Sequence, residues 1–373
     1  MGKHSNVREA PRRGGNNRRQ TRGGQSQNRN MSQNGKVKMK AWKKVLIALV
    51  LILVVLAGCG FGYIQSKLGK INFVELNEEE LGISDNVSKG FRNIALLAVD
   101  SRNLKTNDGS RSDGLIVCSI NENTKEIRLM SIYRDTYVQV EGHGLTKITH
   151  AYAYGGPQLA VKTLNTNLDL NISEFVTVNF EAVADAIDLM GGIEINIEEE
   201  ELSQMNKYIK DTANNLGETC PTLTSAGKQT LNGIQAVTYG RIRKTSGGDY
   251  KRTERMRTVI MKAFEKAKKM DLGTLNQIID SVLPKIQTNI RTESLLGLAT
   301  QMMSYNITDS IGWPYDTKGK TLDAWYGVPV TLETNVIQLH QEVFGQTDYV
   351  LPDSVKQISN QIINKTGYTA SSK

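Results

Sequence analysis

The chain predicts an α/β domain standing behind a single membrane span. Three observations carry this. From residue 90 onward, apolar runs of strand length alternate with stretches of helical spacing. Residues 45–64, VLIALVLILVVLAGCGFGYI, hold no charge, and about 20 apolar residues cross a hydrocarbon core of roughly 30 Å. Charge is also segregated. Residues 1–44 carry 13 Lys and Arg against one acid, Glu9, while the remaining 33 basic and 37 acidic residues leave the rest at −4, although the 373-residue chain is +8 overall. Basicity is therefore a property of the tail, and no nucleic-acid partner is expected of the body.

The elements follow in order. Residues 1–44, rich in Arg, Asn, Gln and Gly, predict a disordered tail. Lys43 and Lys44 precede the span, so the positive-inside rule puts the tail in the cytoplasm and the body outside the cell membrane. Leu56-Ala57-Gly58-Cys59 resembles a lipobox, but the long preceding segment favours an uncleaved anchor over a lipidated Cys59. Residues 65–89 read as a linker, 90–368 as the folded domain and 369–373 as a short tail. Ile94–Val99 and Leu115–Ile120 read as strands around a charged loop, and 126–132 as a third strand. Helices are expected at Pro157–Leu170 and Glu181–Met190, the latter stopped by Gly191-Gly192, with strands at Phe175–Val178 and Ile193–Ile197. Residues 203–228 read as an irregular polar excursion. Glu254–Met270 carries an apolar stripe at Met256, Val259, Ile260, Ala263 and Phe264. Helices at Asn335–Phe344 and Asp353–Asn364 end at Gly345 and Gly367. Three cysteines, Cys59, Cys118 and Cys220, make neither a disulfide framework nor a zinc set, and a Cys118–Cys220 bridge has no support in the sequence.

Three charged clusters carry the chemistry. Asp100-Ser101-Arg102 and Arg111-Ser112-Asp113 stand at the ends of the first two strands. Carboxylates such as Asp100 and Asp113 suit a hard cation such as Mg²⁺, and guanidiniums suit phosphate oxygens. The stretch YGRIRKTSGGDYKRTERMR, residues 239–257, sets Arg241 and Arg243 at strand-like alternation before a glycine turn. Asp249 then precedes a helix on which Arg252 and Arg255 are spaced to share a face. A glycine turn, a helix start and four arginines together describe a polyphosphate cradle. On this reading Arg257 and Lys251 lie on a solvated helix face. In the third cluster, SIYRDT at 131–136 and KITHAYAYGG at 147–156, Arg134 and Lys147 stand within reach of phosphate and His150 reads as a structural residue.

The blocks DSR…RSD, SIYRDT, KITHAYAYGG, NF at 179–180 and YGRIR…GGDYKRTERMR, in this order, resemble the LytR–CpsA–Psr family over roughly residues 90 to 368. The resemblance implies an α-β-α sandwich with a central mixed sheet and an apolar pocket for a prenyl chain. It implies a phosphotransferase of Gram-positive bacteria that moves anionic glycopolymers, of teichoic acid or capsule type, from a polyprenyl-diphosphate carrier in the membrane to peptidoglycan. By position, Asp100 and Asp113 would hold Mg²⁺, with Mn²⁺ as a substitute. Arg111, Arg134, Arg241, Arg243 and Arg252 would bind the diphosphate, and Asp249 would lie beside them. Lys147 and Arg255 join this set from the cluster reading, and Asp100, Asp249 and Arg111 are the catalytic candidates. The chain departs from the family's pattern at Tyr133, often Pro, at Thr149, often Asn, and at Met256, often Gln. Two competing readings are a polyprenyl-diphosphate phosphohydrolase and a non-catalytic sensor or scaffold that binds lipid-linked precursors.

Overall fold

A computed structural model describes residues 69–87, 89–99 and 110–372, with the side chains of residues 292, 296 and 299 left out. The basic tail, the span 45–64, Cys59 and Asp100 lie outside the described residues. Among the described residues no helix is long and apolar enough to cross a membrane.

The strand-length runs form one mixed sheet. Its core is β2 (Phe91–Val99), antiparallel to β3 (Ser112–Asn121) and parallel to β7 (Glu174–Asn179). Beyond β3 come β4 (Glu126–Ile132), antiparallel, and β11 (Asn306–Trp313), parallel to β4. Beyond β7 come β10 (Ile286–Thr288) and β1 (Asn72–Phe73). The register pairs Val99 with Ser112 and with Asn179, and Leu115 with Ile132. The end of β2, the start of β3 and the ends of β4 and β7 therefore meet at one sheet edge.

Period-two alternation sends side chains to two different layers. Ala95, Leu97 and Val117 join a core with Val161, Leu164 and Leu168 of α1 (His150–Leu168) and Leu339 and Val343 of α8 (Leu332–Phe344), closed by α9 (Asp353–Thr366). Ile94, Ile116 and Leu129 face the opposite side, toward Ile260 and Phe264 of α5 (Gly248–Ala267) and Leu295 of α7 (Thr292–Gln301). On this second side α2 (Phe180–Leu189) and α4 (Gly233–Arg241) line a cavity with Leu96 and Ile116, with α3 (Glu199–Leu216) against α4 and α6 (Leu272–Val282) against α2. Two ribbons matter for the site: β5–β6 (Tyr137–Val140, Gly144–Lys147) and β12–β13 (Thr317–Thr321, Trp325–Pro329). A third, β8–β9 (Ile193–Ile197, Gly227–Leu231), packs under α3 and α4.

Several expectations change. The stretch 203–228 contains most of α3, whose Met205, Ile209 and Ala213 are buried at helical spacing. Those apolar residues are sparse in a polar run, so only the partner surface reveals the stripe. The described part of 65–89 packs against the body: it supplies β1, and Leu76, Leu81 and Val87 are buried. Arg241 is the last residue of a helix, not part of a strand, because Asn232 and Gln235 form a capping box that starts α4. Cys118 and Cys220 are both free thiols, and burial pushes the Cys118 thiol up to about 12.

Candidate functional site

Asp113, the second residue of β3, is the centre of the charged sheet edge. Its Oδ1 lies 2.6 Å from Arg134 Nη1, 3.5 Å from Arg243 Nη2 and 4.0 Å from Arg252 Nη1. Arg252 Nη2 also donates to the Asp113 carbonyl at 3.0 Å, and Arg252 Nε faces Asp249 Oδ1 at 2.9 Å. Arg252 is only 3% exposed; burial pulls its guanidinium below the usual value, while Asp249 pushes the other way. The fold reaches this geometry through Thr149, whose hydroxyl donates to Ser112 O at 2.6 Å and whose amide donates to Arg134 O at 3.2 Å. One buried threonine thereby aligns the start of β3 with the chain beyond β4, so the departure from Asn at this position is absorbed by a backbone contact.

The loop into α5 completes the cluster. Gly247 and Gly248 adopt φ of 81° and 52°, a left-handed region open mainly to glycine. Gly247 caps a 20-residue helix without a side-chain hydrogen bond, and the Gly248 amide, first in the helix, donates to Thr245 O at 3.1 Å. A basin of about 500 Å³ joins Asp113, Arg241, Arg243, Lys244 and Arg252 to Tyr208, Asp211 and Asn215 of α3. Those three residues share one face of a helix that the sequence reading left irregular, which is why they were missed.

Beside the basin, a second cavity of about 310 Å³ is almost wholly apolar. The sheet supplies Leu96, Ile116 and Val178 to it, and α2, α4 and α5 supply Val183, Val237 and Ile260. Arg241 lines both cavities, and its guanidinium sits 4.8 Å from the ring centroid of Phe180 at the apolar rim. Met256 also lines the apolar cavity and fills the space at Gly114, where an added Cβ would approach Met256 Cε to 2.8 Å. A methionine at this place extends the apolar wall toward the charged edge.

The other candidates divide. Lys147 is held by Asp135 at 2.8 Å and stands behind Arg134. Burial lowers the His150 pKa, and the positive charges of Arg111 and Lys147 lower it further. His150 Nδ1 is 3.0 Å from Thr146 Oγ1, in keeping with a structural role. Arg255 leaves the cradle: it is 2% exposed, with Nε 2.6 Å from Glu201 and further bonds to Ile242 O and Thr245 Oγ1. Arg257 is buried too, against the expectation of a solvated face, with Tyr133 and Glu254 acting on it electrostatically.

The site offers part of a donor set for a hard cation. Asp113 offers carboxylate oxygens, and Asp249 Oδ2 is buried with no hydrogen-bond partner. Such oxygens are the ligands Mg²⁺ takes. Among the described residues no three His, Cys, Asp or Glu side chains stand close enough to hold a metal between them, and Asp100 lies outside those residues.

The model of the LytR–CpsA–Psr family matches residues 63–333. The polyisoprenyl-teichoic acid–peptidoglycan teichoic acid transferase TagT of Bacillus subtilis strain 168 is 30% identical over 304 residues, 78% of this chain and 92% of TagT. A TagU transferase of Oceanobacillus iheyensis is 30% identical over 330 residues, 83% of this chain and 95% of its own length. Two solved structures share the fold. One, TagT bound to LI-WTA, has a TM-score of 0.57 at 24% identity, covering 74% of this chain and 99% of that one. The other, TagT with bound octaprenyl pyrophosphate lipid, has a TM-score of 0.54 at 24% identity over 73% and 99%.

Proposed function

This chain belongs to the LytR–CpsA–Psr family, and on that premise we propose that it transfers an anionic glycopolymer from a polyprenyl-diphosphate carrier to peptidoglycan. The observation that carries the reading is the position of Arg241, shared by an apolar cavity and a basic basin. A ligand with a long apolar tail and a polyanionic head fits that pair of neighbours, and few other metabolite classes do. The curated relatives, named as teichoic acid transferases, support the same class of polymer. The span at 45–64 would hold the site beside the membrane where a lipid-linked donor resides, with the tail 1–44 in the cytoplasm.

In the proposed mechanism, Arg241 and Arg243 seat the diphosphate, and Arg134 and Arg252, with Arg111, face the phosphorus next to the polymer sugar. The acceptor hydroxyl oxygen attacks that phosphorus. Its proton passes to the Asp249 carboxylate, which lies 2.9 Å from Arg252 and lines the neighbouring cleft, or to Asp100. The bond from phosphorus to the bridging oxygen breaks, polyprenyl phosphate leaves, and a phosphodiester joins polymer to glycan. The guanidiniums offset charge as it moves onto the leaving phosphate. Asp113, together with Asp100, is the proposed holder of Mg²⁺, which when bound neutralises the diphosphate oxygens.

The test is product analysis with the full-length chain, a labelled polyprenyl-diphosphate-linked glycopolymer and peptidoglycan. A glycan-linked phosphodiester and polyprenyl phosphate are expected. Polyprenyl phosphate with only free polymer phosphate would make the protein a phosphohydrolase, and no turnover with retained donor binding would make it a sensor.

A further inference from the structure

We propose that the cleft between Tyr133, Tyr250 and Trp325 is the subsite for a sugar ring of the acceptor glycan, an inference that rests on the transferase reading above. The cleft is about 350 Å³ and is also lined by Asp135, Asp249 and Thr317. That volume lies at the lower end of small-molecule sites, about 300–1,000 Å³. It is separate from the basin and the apolar cavity that take the donor.

Two of the aromatic side chains, Tyr133 and Trp325, are held there against glycine backbone. Tyr133 lies over Gly312 of β11, where an added Cβ would stand 2.0 Å from its hydroxyl. Trp325 lies across Gly319 on the opposite strand of its ribbon, where a Cβ would come within 2.9 Å of Nε1. Tyr133 and Tyr250 meet edge to face, with centroids 4.5 Å apart. The ribbon is tied to the site by the Gly327 amide, which donates to Asp135 O at 2.9 Å. Despite this support, Trp325 remains 47% exposed and Tyr250 41% exposed. Trp325, seated on a glycine yet open to water, and Tyr250, exposed beside Tyr133, make a surface suited to an apolar face with a polar rim.

The charge around the cleft selects the ligand class. An aromatic cleft with carboxylates also suits an ammonium group. Here, however, Asp135 is matched by Lys147 at 2.8 Å and Asp249 by Arg252 at 2.9 Å. Little negative charge is left over for a cation. A neutral pyranose, with C–H faces for the rings and hydroxyls for the rim, meets what the cleft offers. Asp249 lines the cleft while its partner Arg252 lines the donor basin. Acceptor and donor thus meet across one ion pair, with the acceptor hydroxyl delivered beside the proposed base.

The test titrates the full-length chain with the β-1,4-linked tetrasaccharide of N-acetylglucosamine, by calorimetry, in the wild type, Trp325→Ala, Trp325→Phe and Tyr250→Ala. Binding should weaken about tenfold in each alanine variant and be largely kept in Trp325→Phe. In the transfer assay, the KM for glycan should rise more than the KM for donor. Unchanged tetrasaccharide binding in both alanine variants would overturn the subsite, as would wild-type preference for tetramethylammonium. Saccharide binding that depends on Trp325, without release of polyprenyl phosphate from the donor, would overturn the transferase and keep the subsite. Transfer with an unaltered glycan KM in Trp325→Ala would do the reverse.

Discussion

Two arginines three positions apart on α5 have opposite roles. Arg252 faces Asp113 and Asp249 at the sheet edge, whereas Arg255 points inward to Glu201. Both members of the inner pair are 2% exposed at the side chain. Removing one partner of such a pair leaves a buried charge uncompensated, at a cost of roughly 3–5 kcal/mol. Arg255→Ala should therefore lower the melting temperature sharply, and donor affinity should fall only in proportion to the unfolded fraction. A stable Arg255→Ala protein with lost diphosphate binding would return Arg255 to the cradle. His150 gives a prediction in pH. Its pKa is lowered by burial first and by Arg111 next, so the native state resists its protonation. That contribution is present in full above the unfolded value of about 6.5 and is lost as pH falls from there to the folded value. Denaturant unfolding at neutral and mildly acid pH should show a smaller acid loss in His150→Gln, and an identical pH slope would contradict this. That Asp113, Arg134 and Arg252 come together was legible from charged blocks at the ends of adjacent strands and the start of one helix. Arg255 was misread because spacing cannot tell which side of a helix faces inward. Its partner Glu201 lies on a different helix, far along the chain.

The helix that carries Arg241 is fixed at its other end by a contact without side chains. An added Cβ at Gly233, the first residue of α4, would stand 2.2 Å from Ala184 O of α2. The Gly233 amide also donates to Asp188 at 2.8 Å. Gly233→Ala must push α4 away from α2, with a loss of about 1–3 kcal/mol. Because Arg241 ends the same helix, diphosphate affinity should fall along with stability. Thermal unfolding and pyrophosphate titration of this variant check both, and wild-type values in either would show that the α2–α4 contact does not position Arg241. At this scale the sequence was most readable where periodicity was strong, as in α5, α8 and α9. It failed at α3, whose apolar stripe is narrow and whose outer face is polar because it walls the basin. The same surface that makes α3 useful to the site hides it from a hydropathy pattern. The ribbon carrying Trp325 was missed for a related reason, since short strands with glycines read as loop.

The apolar cavity and the basic basin could not be read from the sequence, because they belong to no single element. The apolar one draws on three strands and the helices α2, α4, α5 and α6, and only the assembled sheet brings Gly114, Met256 and Arg241 together. The family resemblance implies a prenyl pocket, and the structure has an apolar cavity with Arg241 in its lining. The central claim is that one ligand spans both spaces, with its tail among Val183, Val237 and Ile260 and its head at Arg241. The most direct measurement is the affinity of the full-length chain for inorganic pyrophosphate, farnesyl diphosphate and a longer polyprenyl diphosphate. It is made in the wild type, in Arg241→Ala and in Ala186→Trp, which fills the apolar cavity. Each buried CH₂ is worth about 0.8 kcal/mol, so wild-type affinity should climb by well over tenfold from pyrophosphate to the long chain. Ala186→Trp should flatten that climb while keeping pyrophosphate binding, and Arg241→Ala should weaken all three ligands. Equal affinity for pyrophosphate and the long-chain diphosphate, or an undiminished chain-length dependence in Ala186→Trp, would contradict the account.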